Sequence, residues 1–149
     1  MGAAGARLYF PDGQLQHAGV VLHGAGPFHP YHGAKHEERG YLGAVVTPRN
    51  YLAVTAACVL TPRAAFQAVG GFDESYVTNY NDVDYCLRLR DAGWRSVYVP
   101  HVELYHYETQ RSDGHVEWVE HELVQFRRRW GARYQHDPFG NLDPCPAPA

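Results

Sequence analysis

Apolar residues change their spacing several times along this chain, and each change marks a predicted element. Near the start, ARLYF and QLQHAGVVL flank Pro11-Asp12-Gly13. Proline presets its own φ, aspartate bonds back to the main chain and glycine accepts a positive φ, so residues 1–22 read as a hairpin. Residues 23–50 carry Gly, Pro and His without a period and read as a long loop, suited to act as a lid over a cleft. The apolar run YLAVTAACVL, Tyr51 to Leu60, predicts a buried strand. Thr61 and Pro62 then cap and open a helix, PRAAFQAV, which Gly70 stops.

Val83, Cys86, Leu87 and Leu89 recur at helical spacing and predict a helix over 82–92. Asn81 suits its N-cap, Gly93 suits the position past its end, and acids in the first turn complement the helix dipole. SVYVP follows as a short strand. VELYHYE continues it in extended form, with Val102, Leu104 and His106 alternating onto one apolar face. Ser112 or Asp113 can cap a last helix, in which Val119, Leu123, Phe126 and Trp130 share a face. Its early Glu117, Glu120 and Glu122 and late Arg127, Arg128 and Arg129 complement its dipole. Residues 1–138 thus read as one domain and 139–149 as a Pro-rich flexible tail.

A net charge of −3 argues against a nucleic-acid partner. No run approaches the ~20 apolar residues that span a bilayer, and no signal peptide is visible, so a cytoplasmic protein is expected. The arginine run could meet a diphosphate or the inner face of a membrane, or simply be a solvated helix end. Cys58, Cys86 and Cys145 lack the spacing of a zinc site or a disulfide framework. His29, His32, His36 and Glu37 read as solvated loop residues rather than a zinc cluster. Glycines 70 and 71 allow a turn that would bury the Phe72 ring, while Asp73 serves as turn former or sugar ligand.

Taken together, GGFDE, NDVDYCLRLRDAGW, VYVP and YHYE strongly resemble the acceptor-side half of family 2 glycosyltransferases, which have the α/β GT-A fold. Among these the string is most similar to bacterial enzymes, often labelled rhamnosyltransferases, that build O-antigen and other surface polysaccharides. The resemblance begins at GARLYFPDGQLQHAGVVL, so the chain corresponds to a partial GT-A fold, a mixed sheet flanked by helices without the N-terminal nucleotide-binding half. The family motif is Glu-Asp-x-Asp-(Leu/Phe)-Cys-x-Arg, whose first Asp is the general base. Here Asn81 stands for the Glu, which removes a like charge beside the retained Asp82.

The resemblance therefore implies Asp82 as catalytic base and Thr55, Ala56, Phe72, Asp73 and Asn81 as substrate-binding residues. TAAC matches the family's Thr-(Gly/Ala)-Ala-Cys near the acceptor site, although Ala56 and Ala57 could equally be tight core packing. His106 is implied as a ligand to Mn²⁺ or Mg²⁺ held with an upstream DxD that this sequence lacks. Asp82-x-Asp84 has DxD spacing, yet it opens a helix instead of following a nucleotide-binding strand, so Asp84 is expected to support the turn. Gln125 to Trp130 is one residue too long for the QxxRW motif of processive synthases. The expected partners are a nucleotide-diphosphate sugar donor and a glycan or lipid-linked acceptor. Two readings follow: an inverting glycosyltransferase, or an acceptor-binding module or split-enzyme half that needs a complementary N-terminal half. In the second reading, a chain that folds alone exposes a cut sheet edge, which predicts self-association.

Overall fold

The computed structural model describes residues 1–23, 26–107, 115–133 and 137–139. Its centre is β1, Ala3–Tyr9, whose small and apolar residues are buried along nearly the whole strand. On one side β1 pairs in parallel with β7, Ser96–Tyr105. On the other it pairs antiparallel with two short strands, β6 (Val59–Leu60) at Ala4–Gly5 and β2 (Leu15–His17) at Leu8–Tyr9. β5, Arg49–Tyr51, closes the far side of β7 antiparallel, and β3 (Val21–His23) with β4 (Gly26–Phe28) forms a separate hairpin. The result is a mixed sheet flanked by three helices: α1, Arg63–Ala68; α2, Asn81–Asp91; and α3, His115–Trp130.

The first hairpin forms as the Pro-Asp-Gly turn predicts, with the Gly13 amide donating to the Phe10 carbonyl and the Gln14 amide to Asp12. Its second arm is shorter than expected, because the chain leaves the sheet at Ala18 and starts β3 at Val21. Residues 23–50 are not uniformly loop: they contain β4, a 3-10 turn at Tyr41–Gly43 and the start of β5.

The expected strand over 51–60 breaks into four pieces. β5 ends at Tyr51, Ala53 makes an isolated bridge to Val20, and Ala56–Cys58 form an exposed 3-10 turn before β6. An apolar run cannot distinguish a strand from a buried crossover, and Leu52, Ala53 and Val54 are buried without being strand. Thr61 does not cap α1. Pro62 holds the N-cap position, while the Thr61 hydroxyl meets the Gly2 carbonyl and the Tyr85 hydroxyl.

α2 packs between the sheet and α3 with Val83, Asp84, Tyr85, Cys86, Leu87 and Leu89 all buried. Burial on nearly all sides explains its weak apolar periodicity. Its end is a Schellman motif: Gly93 at φ 84° donates to Arg90, and Trp94 donates to Leu89. The core continues through Phe126 and Trp130 of α3 to Phe139, and the Asp137 carboxylate accepts the Leu22 amide. The possible caps Ser112 and Asp113, and residues 140–149 of the expected tail, lie outside the described residues.

The second half of β7 departs from expectation. Val102 and Leu104 are 48% and 43% exposed, so the face that alternation assigns to a core is open. Alternation fixes which residues share a face but not what covers it.

Candidate active site

Two motifs far apart in sequence meet at Asp82. The Thr55 side chain accepts the Ala57 amide and so shapes the 3-10 turn, which leaves the Ala56 amide pointing outward. That amide donates to Asp82 Oδ2 at 3.0 Å, while the Val83 amide donates to Oδ1 at 2.8 Å. Each carboxylate oxygen keeps a second lone pair, and Asp82 is only half-buried. Ala56 and Ala57 are exposed, so the core-packing reading of these small residues does not hold. They leave the approach to Asp82 open.

The chain enters α2 differently from the expectation. Asn81 is the first helical residue, not the N-cap; Tyr80 holds that position in a left-handed conformation, φ 63° and ψ −5°. A bulky residue there costs about 1–2 kcal/mol, so the surroundings must hold it. They do so from α3. The Tyr80 ring packs on Phe126 at 5.4 Å between centroids. The Glu122 carboxylate, 1% exposed, accepts the amides of Val77, Thr78 and Asn79 at 2.6, 2.8 and 2.7 Å. Composition places Glu122 with the dipole-complementing acids, but its position one turn before Phe126 and two before Trp130 puts it on the buried face. That spacing is the signal that could have found it.

Asp84 is fully buried and engaged. It accepts from Arg88 Nε at 2.7 Å and Trp130 Nε1 at 2.9 Å, and forms an ion pair with Arg129 Nη1 at 3.0 Å. Its carboxylate is turned into the protein as a structural hub, in keeping with the expectation that it supports the turn. Arg129 also pairs with Asp73 at 2.7 Å, and Asp73 takes the Ser75 amide and hydroxyl. These Ser75 bonds, followed by Arg129, hold the Asp73 carboxyl below the usual carboxylate range despite some desolvation. Gln125 Nε2 donates to Ser75 Oγ at 2.6 Å.

Phe72 does not bury its ring as expected. It is 38% exposed and rests on Tyr85 and Phe66, because Gly70 and Gly71, both at φ 73°, turn the chain outward over α1 and α2. It forms an apolar surface beside α2.

His106 takes no part in this cluster. Its amide continues the β1–β7 ladder by donating to Tyr9, and its Nδ1 meets Gln16 Oε1 at 2.9 Å. With the amide oxygen as acceptor, Nδ1 carries the proton and Nε2 keeps a lone pair, the tautomer a metal ligand needs. Among the described residues no group of three His, Cys, Asp or Glu side chains is placed to hold a metal. Of the loop histidines, His36 stacks on Tyr9, and His29 meets the buried His17, Nδ1 to Nδ1, at 2.9 Å. His17 Nε2 accepts the Gly19 and Thr55 amides, so its proton sits on Nδ1 and points at His29. Burial, then His29, pushes the His17 pKa well below its ordinary value.

A half-exposed carboxylate at the start of α2 thus lies beside exposed small residues on a mixed α/β sheet. The family model for glycosyltransferase like family 2 matches residues 36–132, and the chain belongs to glycosyltransferase family 2. Its mixed sheet and few helices form part of a GT-A fold.

The chain is 42% identical over 151 residues to the uncharacterized protein y4gI of Sinorhizobium fredii, covering 95% of this chain and 16% of that protein. It is 39% identical over 117 residues to the O-antigen biosynthesis protein RfbC of Myxococcus xanthus, covering 73% of this chain and 9% of that protein. To the N-acetylglucosaminyl-diphospho-decaprenol L-rhamnosyltransferase of Mycobacterium tuberculosis it is 38% identical over 119 residues, covering 72% of this chain and 38% of that enzyme. The chain therefore spans well under half the length of the curated relatives it matches. No solved structure matches it.

Proposed function

We propose that the chain is the acceptor-side part of an inverting glycosyltransferase acting in cell-surface polysaccharide synthesis, with Asp82 as general base. The observation that carries this is the pinning of Asp82 by the Ala56 and Val83 amides, one on each oxygen, at an open surface. In the transfer, an acceptor hydroxyl oxygen bonds to the anomeric carbon as the bond from that carbon to the donor diphosphate breaks. The hydroxyl proton passes to Asp82, and the nucleoside diphosphate leaves with the electron pair. Displacement from the opposite face inverts the anomeric centre.

Thr55 and Ala56 shape the approach and Asn81 lies beside the base. As further substrate-binding residues, Phe72 offers an apolar surface over Tyr85 of the same helix and Asp73 is held by Ser75 and Arg129. The rhamnosyltransferase and O-antigen relatives support a nucleotide-activated rhamnose as donor and a polyprenyl-diphosphate-linked sugar as acceptor. Enzymes of this family generally use a divalent cation, which when bound stabilises the leaving diphosphate. Among the described residues His106 offers one ring nitrogen, so a Mn²⁺ or Mg²⁺ site requires ligands beyond those described.

The exposed apolar side chains of β7 beyond its pairing with β5 favour a second reading, in which the chain binds acceptor and needs a complementary donor-binding half. No helix among the described residues is long and apolar enough to cross a membrane. In this reading, contact with the inner face of a membrane falls to the exposed Arg127 and Arg128.

Calorimetric titration of the 149-residue chain with UDP and dTDP, with and without Mn²⁺, and again with His106→Ala, tests the donor side. Metal-dependent binding weakened by His106→Ala supports a transferase with donor contacts of its own; no binding supports the half-enzyme reading. Turnover of dTDP-L-rhamnose that survives intact in Asp82→Asn would remove Asp82 as base.

A further inference from the structure

We propose that Glu122 of α3 is the positioning residue for Asp82, and that α3 is the template on which the base is set. The inference rests on Asp82 as the base and extends that reading to a helix that carries none of the predicted site residues.

A carboxylate taken out of water is costly unless hydrogen bonds satisfy it. Among the described residues Glu122 meets no cation within ion-pair distance; three successive backbone amides converge on it instead. Oε1 takes Val77 and Thr78, and Oε2 takes Asn79. This fixes three consecutive peptide planes, and only Tyr80 and Asn81 separate the last of them from Asp82. Of those two, Tyr80 is in the left-handed region and is pressed onto Phe126, the residue one turn along α3 from Glu122.

Beyond Asp82 the buried Asp84 carboxylate is held by Arg129 and Trp130, one further turn along the same helix. Before the loop, Ser75 is held by Gln125. Asp82 is thus bracketed by contacts to a single rigid face. Packing alone does not call for a carboxylate at 122, since a leucine would fill the face. The acid is needed because the loop conformation that presents Asp82 leaves three amides facing inward, and unpaired buried amides are costly.

The test is nitrogen-15 NMR on the 149-residue chain, read at the Ala56 amide, which reports its bond to Asp82. Glu122→Gln keeps the shape and replaces one acceptor by a donor. The expected result is that the Ala56 resonance moves toward its position in Asp82→Ala, and that the amides of 77–79 exchange faster. Leu15→Ala, in a separate core cluster, is the control for lost stability and is expected to leave Ala56 in place.

Where the chain turns over dTDP-L-rhamnose, kcat in Glu122→Gln should fall about a hundredfold with the donor KM unchanged, the signature of a misplaced base. An Ala56 amide at its wild-type position in Glu122→Gln overturns the proposal, with or without turnover. If Glu122→Gln does not fold, Glu122→Asp, which keeps the charge but withdraws it by one methylene, is read in the same way. Asp82→Asn run alongside separates the two ideas: full turnover there defeats the base assignment, whereas loss there with an unperturbed Glu122→Gln defeats only the positioning role.

Discussion

His17 shows how one residue's environment sets a measurable property of the whole chain. It is fully buried between the first hairpin and the turn at Thr55, with its ring edge-on to Tyr98, and accepts two amides through Nε2. Protonation would remove that acceptor and place a charge against His29. Because the folded pKa lies well below 6.5, the unfolded chain binds the proton more readily as pH falls. The stability contributed by neutral His17 is therefore fully present above about pH 6.5 and is lost progressively below it. Melting curves between pH 5 and 7 should show stability rising with pH, by at most about 1.4 kcal/mol per pH unit from this group. In His17→Gln that part of the slope should vanish; an unchanged slope would place the titration elsewhere.

At the scale of elements, α2 and α3 behave as one unit joined through Asp84. Removing one partner of a buried, hydrogen-bonded ion pair typically costs about 3–5 kcal/mol, because the remaining charges lose their compensation. Asp84→Ala should therefore lower the unfolding free energy by about that much in a denaturant titration, leaving the Arg88 and Trp130 donors without their acceptor. Asp91→Ala removes the Arg133 partner at the exposed end of α2 and should cost about 0–1 kcal/mol. Equal losses in the two variants would mean that α3 is not anchored through Asp84. The same unit explains the irregular entry into α2: Tyr80 can remain left-handed because Glu122 fixes the three residues before it and Phe126 packs on its ring.

At the scale of the molecule, the sheet is unevenly covered. Among the described residues β5 pairs only with Ser96–Tyr98, and beyond them β7 carries exposed Val102, Leu104 and Tyr105. An uncovered strand with apolar side chains is a template for pairing with another chain. Sedimentation of the 149-residue chain should show association that grows with concentration and that Leu104→Lys reduces. A monomer at every concentration would mean that this edge is not adhesive.

Much of the site was legible in the sequence because its parts are local. The helix over α2, its Gly93 stop, the Pro-Asp-Gly hairpin and the paired glycines at 70 and 71 follow from short-range rules of φ, capping and apolar spacing. The family string linked both Asp82 and TAAC, Thr55–Cys58, to the expected acceptor site, although the apolar spacing read the latter as strand and not as the 3-10 turn it forms. What the sequence could not settle were relations between segments. Whether Ala56 is buried or exposed depends on where the 3-10 turn lies against α2, and whether Val102 and Leu104 are core depends on what covers β7. Glu122 reads as one more exposed acid until α3 docks, because a carboxylate's role depends on which amides face it. Sequence by itself determined the family, the mixed α/β elements and the candidate base, since backbone propensities and motif chemistry act over a few residues. Only the tertiary structure decided which acid is solvated, which is buried and which holds the loop, since burial and hydrogen-bond partners are set by residues distant in the chain.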